Sequence, residues 1–467
     1  MHVGRAALIL VVTALVQAAV WFGVLRLDPF GMSSAADRAS EEIFLRLYPT
    51  VYESSARDVI SVVLIDQNNL VARDRQNNQV WPRQSTTWPI NFDEHIDLIK
   101  TILAAQPKAL FVDILYDTDI PDTDPLKKTG ATQFKEFFAS LPPNSPPIVF
   151  ASLSSPASPL IEPLKSLPTD PQRAKQFPTR IMQTSVEFFA EANHYPVFSS
   201  TGAPQGSAAL YELTADPAPA NVRLHRPILR AANGEMLLVW GNTIKRSAHP
   251  AEANCAPIFD DARSRFSGFL STVTVGLLGK VLGERSFRGP GGWDRIQPCE
   301  FHEPYIAGEL YTRNDAEKLR GKYVFLGVSG DASSDTVVSP VHGQLPGVFQ
   351  HAMALDNLLT FDGHFLHASP WIDVLQFLLI FAMLTGGGIM FRPDIGARQS
   401  RTSAFRLLAA RAAVWLVFSL TSTALLTAFL TQFYLAPYNW GGVIAISGIA
   451  FFTGAGKELR TVLFGPN

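Results

Sequence analysis

VISVVLID, Val59 to Asp66, is the stretch from which the fold is read. It is a short, nearly continuous apolar run rich in β-branched residues. That pattern predicts a strand buried on both faces of a parallel sheet rather than a half-solvated strand, which would alternate. Phe92 to Ala105 follows with Ile96, Ile99 and Leu103 on one helical stripe, and Pro107 stops it. KALFVDILY, Lys108 to Tyr116, predicts a second buried strand, Gln133 to Leu141 a helix, and PIVFASL, Pro147 to Leu153, a third strand. The β-α-β-α-β alternation predicts an α/β domain with a mostly parallel sheet and right-handed crossovers.

Beyond Ser154 the pattern weakens. Pro and Ala are frequent up to Pro250, and only Met236 to Ile244 (MLLVWGNTI) predicts a strand there. Phe266 to Leu282 is apolar with helical spacing but short and interrupted, which suits a core helix. KYVFLGV, Lys322 to Val328, predicts another buried strand, and Gly347 to Thr360 a helix.

The chain around this domain is very different. Ala6 to Leu25 is apolar and long enough to cross a hydrocarbon core of ~30 Å as a helix. Trp371 to Phe391, Ala412 to Phe433 and Tyr438 to Ala455 are further candidates. This predicts α-helical transmembrane spans, one before the domain and three after, with the fourth short, Gly-rich and open to a re-entrant reading. A signal peptide cleaved after Val16-Gln17-Ala18 is the rival for the first, but the apolar run continues to Leu25.

Orientation follows from the basic residues. The loop 392–411 carries Arg392, Arg398, Arg401, Arg406 and Arg411 against the single acid Asp394, and short basic loops stay cytoplasmic. The expected organisation is therefore a cytoplasmic tip and first span over 1–27, an extracytoplasmic domain over 28–370, and spans two to four over 371–467.

Net charge is −2 for 467 residues, which gives no electrostatic case for nucleic acid. Cys255 and Cys299 both fall in the outward domain; one disulfide is the expectation and two unpaired thiols the alternative. Neither a Cys-x-x-Cys pair nor a Gly-x-Ser-x-Gly elbow occurs.

The blocks VISVVLID, the Trp88-Pro89 pair followed by His95, Pro107 to Tyr116, Pro304 to Pro340 and Pro346 to Leu359 together resemble the CHASE-type extracellular sensor domain of the second type, found in bacterial signalling proteins. The last two blocks are the most specific, and the resemblance covers most of the region from Ser33 to Thr360. It implies an inner-membrane sensor with a periplasmic domain whose ligand is undefined. Relatives of this kind usually continue into a kinase or nucleotide cyclase. Here only Lys457 to Asn467 follow the last apolar segment, with no Gly-rich phosphate loop or His-Arg-Asp block. Catalytic outputs are therefore not carried over: the chain is expected to be no enzyme itself, to use no cofactor or metal, and to signal to a separate kinase or cyclase. The resemblance also admits a homodimer.

Ligands of open parallel sheets sit outside the carboxyl ends of the strands. Those ends carry Asp66, then Asp113, Asp117 and Asp119, then Ser329, Asp331 and Asp335. Asp66, Asp113, Asp117, Ser329, Asp331 and Asp335 are the ligand-binding candidates; the competing reading is that the acids cap helices and turns. His351 on an apolar helix reads as a packing residue, and His95 near a helix start as a packing residue or an outward pH sensor. Two other classes remain open. One is a membrane-anchored enzyme acting through Asp66, Asp113 and Asp335, the other a non-signalling subunit of an envelope complex.

Overall fold

The structure is a computed structural model. It describes residues 52–73, 76–116, 130–153, 160–186, 193–198, 203–215, 235–241, 243–245, 255–257, 300–312, 315–330, 335–390 and 401–436, with short pieces between 12 and 50. The chain divides into two compact units, one Leu45–Phe365 and the other joining Met1–Phe44 to Leu366–Asn467.

The first unit is built on a six-stranded sheet. Its strands are β1 (Ile60–Asp66), β2 (Ala109–Val112), β3 (Ile148–Leu153), β4 (Ile181–Val186), β5 (Glu303–Ile306) and β6 (Tyr323–Ser329). They run β5-β1-β6-β2-β3-β4 across the sheet, and every pairing is parallel. The strand expected at Lys322 inserts between the first two, so β1 and β2 are not neighbours. The principal helices are α1 (Phe92–Ala104), α2 (Gly130–Ser140), α3 (Gly206–Thr214) and α4 (Val348–Thr360).

Successive residues of a strand point to opposite faces, and each face here has its own core. Ile60, Val62, Leu64, Phe111 and Phe325 pack with α3 and α4 on one side. Val63, Ile65, Leu110, Val112, Val324 and Leu326 pack with α1 and α2 on the other. This two-sided burial is why the strands read as continuous apolar runs. Helix α1 starts at Asn91, whose side chain and that of Glu94 cap each other's backbone in a capping box. It stops before Gln106, which holds a positive φ of 56° ahead of Pro107.

The sequence does not announce three elements. Strand β4, IMQTSV, carries Gln183 and Thr184 within the buried run, β5 is only four residues, and α3 lies in the unpatterned middle. The single strand expected over Met236 to Ile244 is two short ones, Glu235–Leu237 and Thr243–Lys245. Between them the Asn357 side chain takes the place of a partner strand. Its Oδ1 accepts from the Val239 N–H at 2.9 Å, and its Nδ2 donates to the Val239 carbonyl at 2.9 Å. The core helix expected over 266–282 lies outside the described residues. So does Cys299, while Cys255 opens a short strand, Cys255–Pro257; the described residues thus do not include both members of the expected disulfide.

The second unit contains α5 (Pro370–Met390) and α6 (Arg401–Gln432). Ile372 packs with Leu430, and Ala18 with Ile380. Among the described residues no helix is long and apolar enough to cross a membrane. Much of 6–25 and all of 438–455 lie outside the described residues.

Candidate functional site

Strand β6 leads to α4 on one face of the sheet, whereas its neighbours β1 and β2 lead to α1 and α2 on the other. Chains leaving adjacent strands for opposite faces open a crevice at the carboxyl edge, the place where parallel sheets bind ligands. Asp113 and Asp335 lie at this edge. Asp113 follows β2 with its backbone N–H still bonded to the Leu326 carbonyl of β6 at 2.8 Å, and Asp335 comes after β6.

Helix α4 delivers His351 to Asp113, with 3.6 Å between Nε2 and the carboxylate; the side chains are only 12% and 10% exposed. The His351 ring lies 4.9 Å from that of Phe111. Its Nδ1 meets the Tyr195 hydroxyl at 2.7 Å, and the same hydroxyl oxygen accepts the Ser207 N–H at 2.7 Å. The Ser207 hydroxyl donates to the His351 carbonyl at 2.6 Å. The Ser207 N–H already donates to the Tyr195 oxygen, which favours one tautomer. Tyr195 donates its proton to Nδ1, so the imidazole keeps its own proton on Nε2, facing Asp113.

Glycine is required at two positions around the cluster. Gly206 has φ 48°, and a Cβ there would overlap the Tyr195 hydroxyl. A Cβ on Gly347 would overlap the Asp335 carboxyl group. Both acids thus lie in a tightly enclosed space.

Burial pushes the Asp113 carboxyl up to about 7. Burial and the charge of Asp113 raise Asp335 to about 6, against a smaller opposing effect of His351. Burial holds His351 down at about 4, although Asp335 works the other way. Neither carboxylate accepts a hydrogen bond among the described residues, so burial dominates both.

The other candidates have different fates. Asp66 accepts the Asn68 N–H at 2.9 Å and the Asn69 side-chain amide at 3.0 Å, a turn of its own making. Ser329 pairs with Asp66 in register, and its carbonyl accepts the Gln67 N–H at 2.9 Å. The Asp66 carboxylate is thus engaged in a local turn cap at the same carboxyl edge. Asp117, Asp119 and Asp331 lie outside the described residues. Among the described residues no group of three or more His, Cys, Asp or Glu is arranged to hold a metal ion.

His95 is buried between Trp88 and Tyr116, and burial holds it down at about 4. These aromatic surroundings and its burial are those of a packing residue. Tyr195 was not legible as a site residue, since it lies in a three-residue strand within the unpatterned middle. His351 was visible only as a polar interruption of an apolar helix.

A second buried network occupies the other end of α4. Asp356, fully buried, accepts from the Tyr52 hydroxyl, from Ser54 Oγ at 2.6 Å and from His302 Nε2 at 3.1 Å.

A family profile described as the CHASE2 domain matches residues 9–389. The chain belongs to the CHASE2 domain family. CHASE2 domains are extracellular sensory domains. No curated protein matches the chain, and no solved structure does. The CHASE2 blocks noticed in the sequence map onto the site. Pro107 to Tyr116 supplies β2 and Asp113, Pro304 to Pro340 supplies β6 and Asp335, and Pro346 to Leu359 supplies α4 with His351 and Asp356.

Proposed function

We propose that this CHASE2 protein is a multi-pass inner-membrane sensor whose extracytoplasmic α/β domain reads its stimulus at the Asp113–Asp335–His351–Tyr195 cluster. The observation that carries the reading is the cluster's place: it sits where β6 and β2 send their chains to opposite faces, and it contains two carboxyl groups raised by burial that accept no hydrogen bond among the described residues. A site of this kind stores unfavourable electrostatic free energy that a stimulus can release, which is what a two-state sensor needs. His351 belongs to the last helix before Pro370–Met390, so the state of the cluster bears on the segment leading to the C-terminal apolar region.

In this reading the domain stands outside, the Arg392–Arg411 loop faces the cytoplasm, and that loop offers a docking surface to a kinase or nucleotide cyclase. The same arginines suit anionic lipid headgroups. Co-purification from native membranes is expected to recover a signalling protein, less of it after charge reversal at Arg398, Arg401 and Arg406. A chain that purifies alone removes the partner.

The raised carboxyls favour a second reading, in which Asp113 and Asp335 act as general acid and base on an extracytoplasmic substrate. Any turnover that survives both Asp113→Asn and Asp335→Asn removes it.

A further inference from the structure

We propose that the stimulus read by this cluster is the proton: the Asp113–Asp335 pair, set against a neutral His351, takes up and releases a proton as the surrounding pH crosses the mildly acidic range, and α4 carries the change. The inference rests on the sensor reading above and names its stimulus.

Three features of the geometry lead to it. The first is the donor balance. Among the described residues the titratable groups facing the pair are His351 from α4 and Tyr195 from the strand 194–196, while Ser207 of α3 and Thr184 of β4 are neutral. Asp66 of β1, at the same edge, has its carboxylate engaged by Asn68 and Asn69. Among the described residues no lysine or arginine enters the electrostatic balance of Asp113, Asp335 or His351. Burial raises both carboxyls, and the charge of Asp113 adds to the rise of Asp335, so both are protonated in a mildly acidic medium and lose their protons as pH rises.

The second feature is enclosure. With Asp113 and His351 about nine-tenths buried, the glycines Gly206 and Gly347 are needed simply to admit the Tyr195 hydroxyl and the Asp335 carboxyl. A proton enters such a space without a preformed cavity.

The third is directional wiring. The Ser207 N–H, the Tyr195 O–H and the His351 Nε2–H point in sequence towards Asp113, so a change of charge on Asp113 acts on the whole chain of donors. Asp113, Asp335, His351 and Tyr195 come from four separate segments. Loss of these protons charges both carboxyls, which repel each other and draw His351 towards its charged form, shifting α4 against β2. The values near 6 and 7 place the transition in the range that an extracytoplasmic domain meets in an acidifying medium.

The test uses the full chain in lipid nanodiscs with carboxyl-¹³C aspartate. Infrared difference spectra and hydrogen exchange of α4 are followed from about pH 5 to about pH 8. A protonated-carboxyl band is expected that disappears across this range in the native protein and is lost in Asp113→Asn/Asp335→Asn. Amide protection of Val348–Thr360 is expected to change over the same interval in the native protein and to stay flat in the double variant. Absence of the band at about pH 5.5, or its presence with unchanged protection of α4, overturns the proposal. The native spectra suffice if the variant misfolds. The band reports proton uptake whether or not the chain is a sensor, so a failed partner recovery and a failed titration are separate results.

Discussion

Asp113 and His351 make opposite demands on pH. Asp113 titrates near 7 in the folded chain against about 4 when unfolded, so the fold holds the proton more tightly than the open chain does. Its contribution is fully present below about pH 4 and is lost as pH rises towards 7. The full displacement corresponds to roughly 2–4 kcal/mol. Asp113→Asn keeps the neutral form at every pH. Its melting temperature is expected to exceed that of the native chain at about pH 8 and to converge with it near pH 4, as read by calorimetry across that range. His351 is depressed from 6.5 to about 4, so its contribution is present above about pH 6.5 and lost as pH falls towards 4. His351→Gln is expected to flatten the acid side of the stability profile. The two windows overlap with opposite slopes, so between about pH 4 and about pH 6.5 the two contributions largely cancel, and each single variant exposes the slope of the other.

Helix α4 is the element on which both buried networks converge. His351 serves the carboxyl-edge cluster, and Asp356 ties the segment 52–54 and His302 to the same helix. Removing the Asp356 carboxylate leaves the Tyr52, Ser54 and His302 groups that it accepts from desolvated without that partner, each such loss costing about 1–3 kcal/mol. Asp356→Ala is expected to cost about 3–5 kcal/mol in urea unfolding, more than Asp113→Ala, whose carboxylate accepts no hydrogen bond among the described residues. At the start of α3, Gly206→Ala meets both the positive φ of 48° and the Tyr195 hydroxyl. It is expected to cost about 2–3 kcal/mol and to detach Tyr195 from His351, which appears as a shifted imidazole resonance in nuclear magnetic resonance. At the amino end of α1, Glu94 behaves unlike Asp113. Burial works to raise it, but the Gln84, Ser85 and Asn91 donors outweigh burial and hold it below its ordinary value. That carboxylate is a structural cap.

For the whole molecule, the orientation reading predicts that reporters fused within the domain are active outside the inner membrane, while reporters at either end are active inside. A domain found in the cytosol removes the sensor reading, together with the mildly acidic medium the proton proposal requires.

The strands β1, β2, β3 and β6 were legible because burial on both faces leaves few polar positions, Ser61 and Ser152 among them, and that constraint is local. The helices α1, α2 and α4 were legible for the matching reason: one apolar stripe each, with start and stop signals beside it. Strand β4 and α3 were not, since their polar residues are satisfied by partners far away in the chain, as when Thr184 accepts the Gly206 N–H at 2.9 Å. The amino-acid sequence by itself determined the α/β class, the CHASE2 membership and the acids at the carboxyl ends of the strands. Only the tertiary structure decided that β6 enters between β1 and β2. That insertion sets Asp113 and Asp335 against His351 and leaves Asp66 to its turn. The physical reason is that a strand's apolar pattern records burial but not its neighbour, whereas the charge a carboxyl group carries depends on which neighbours replace its water.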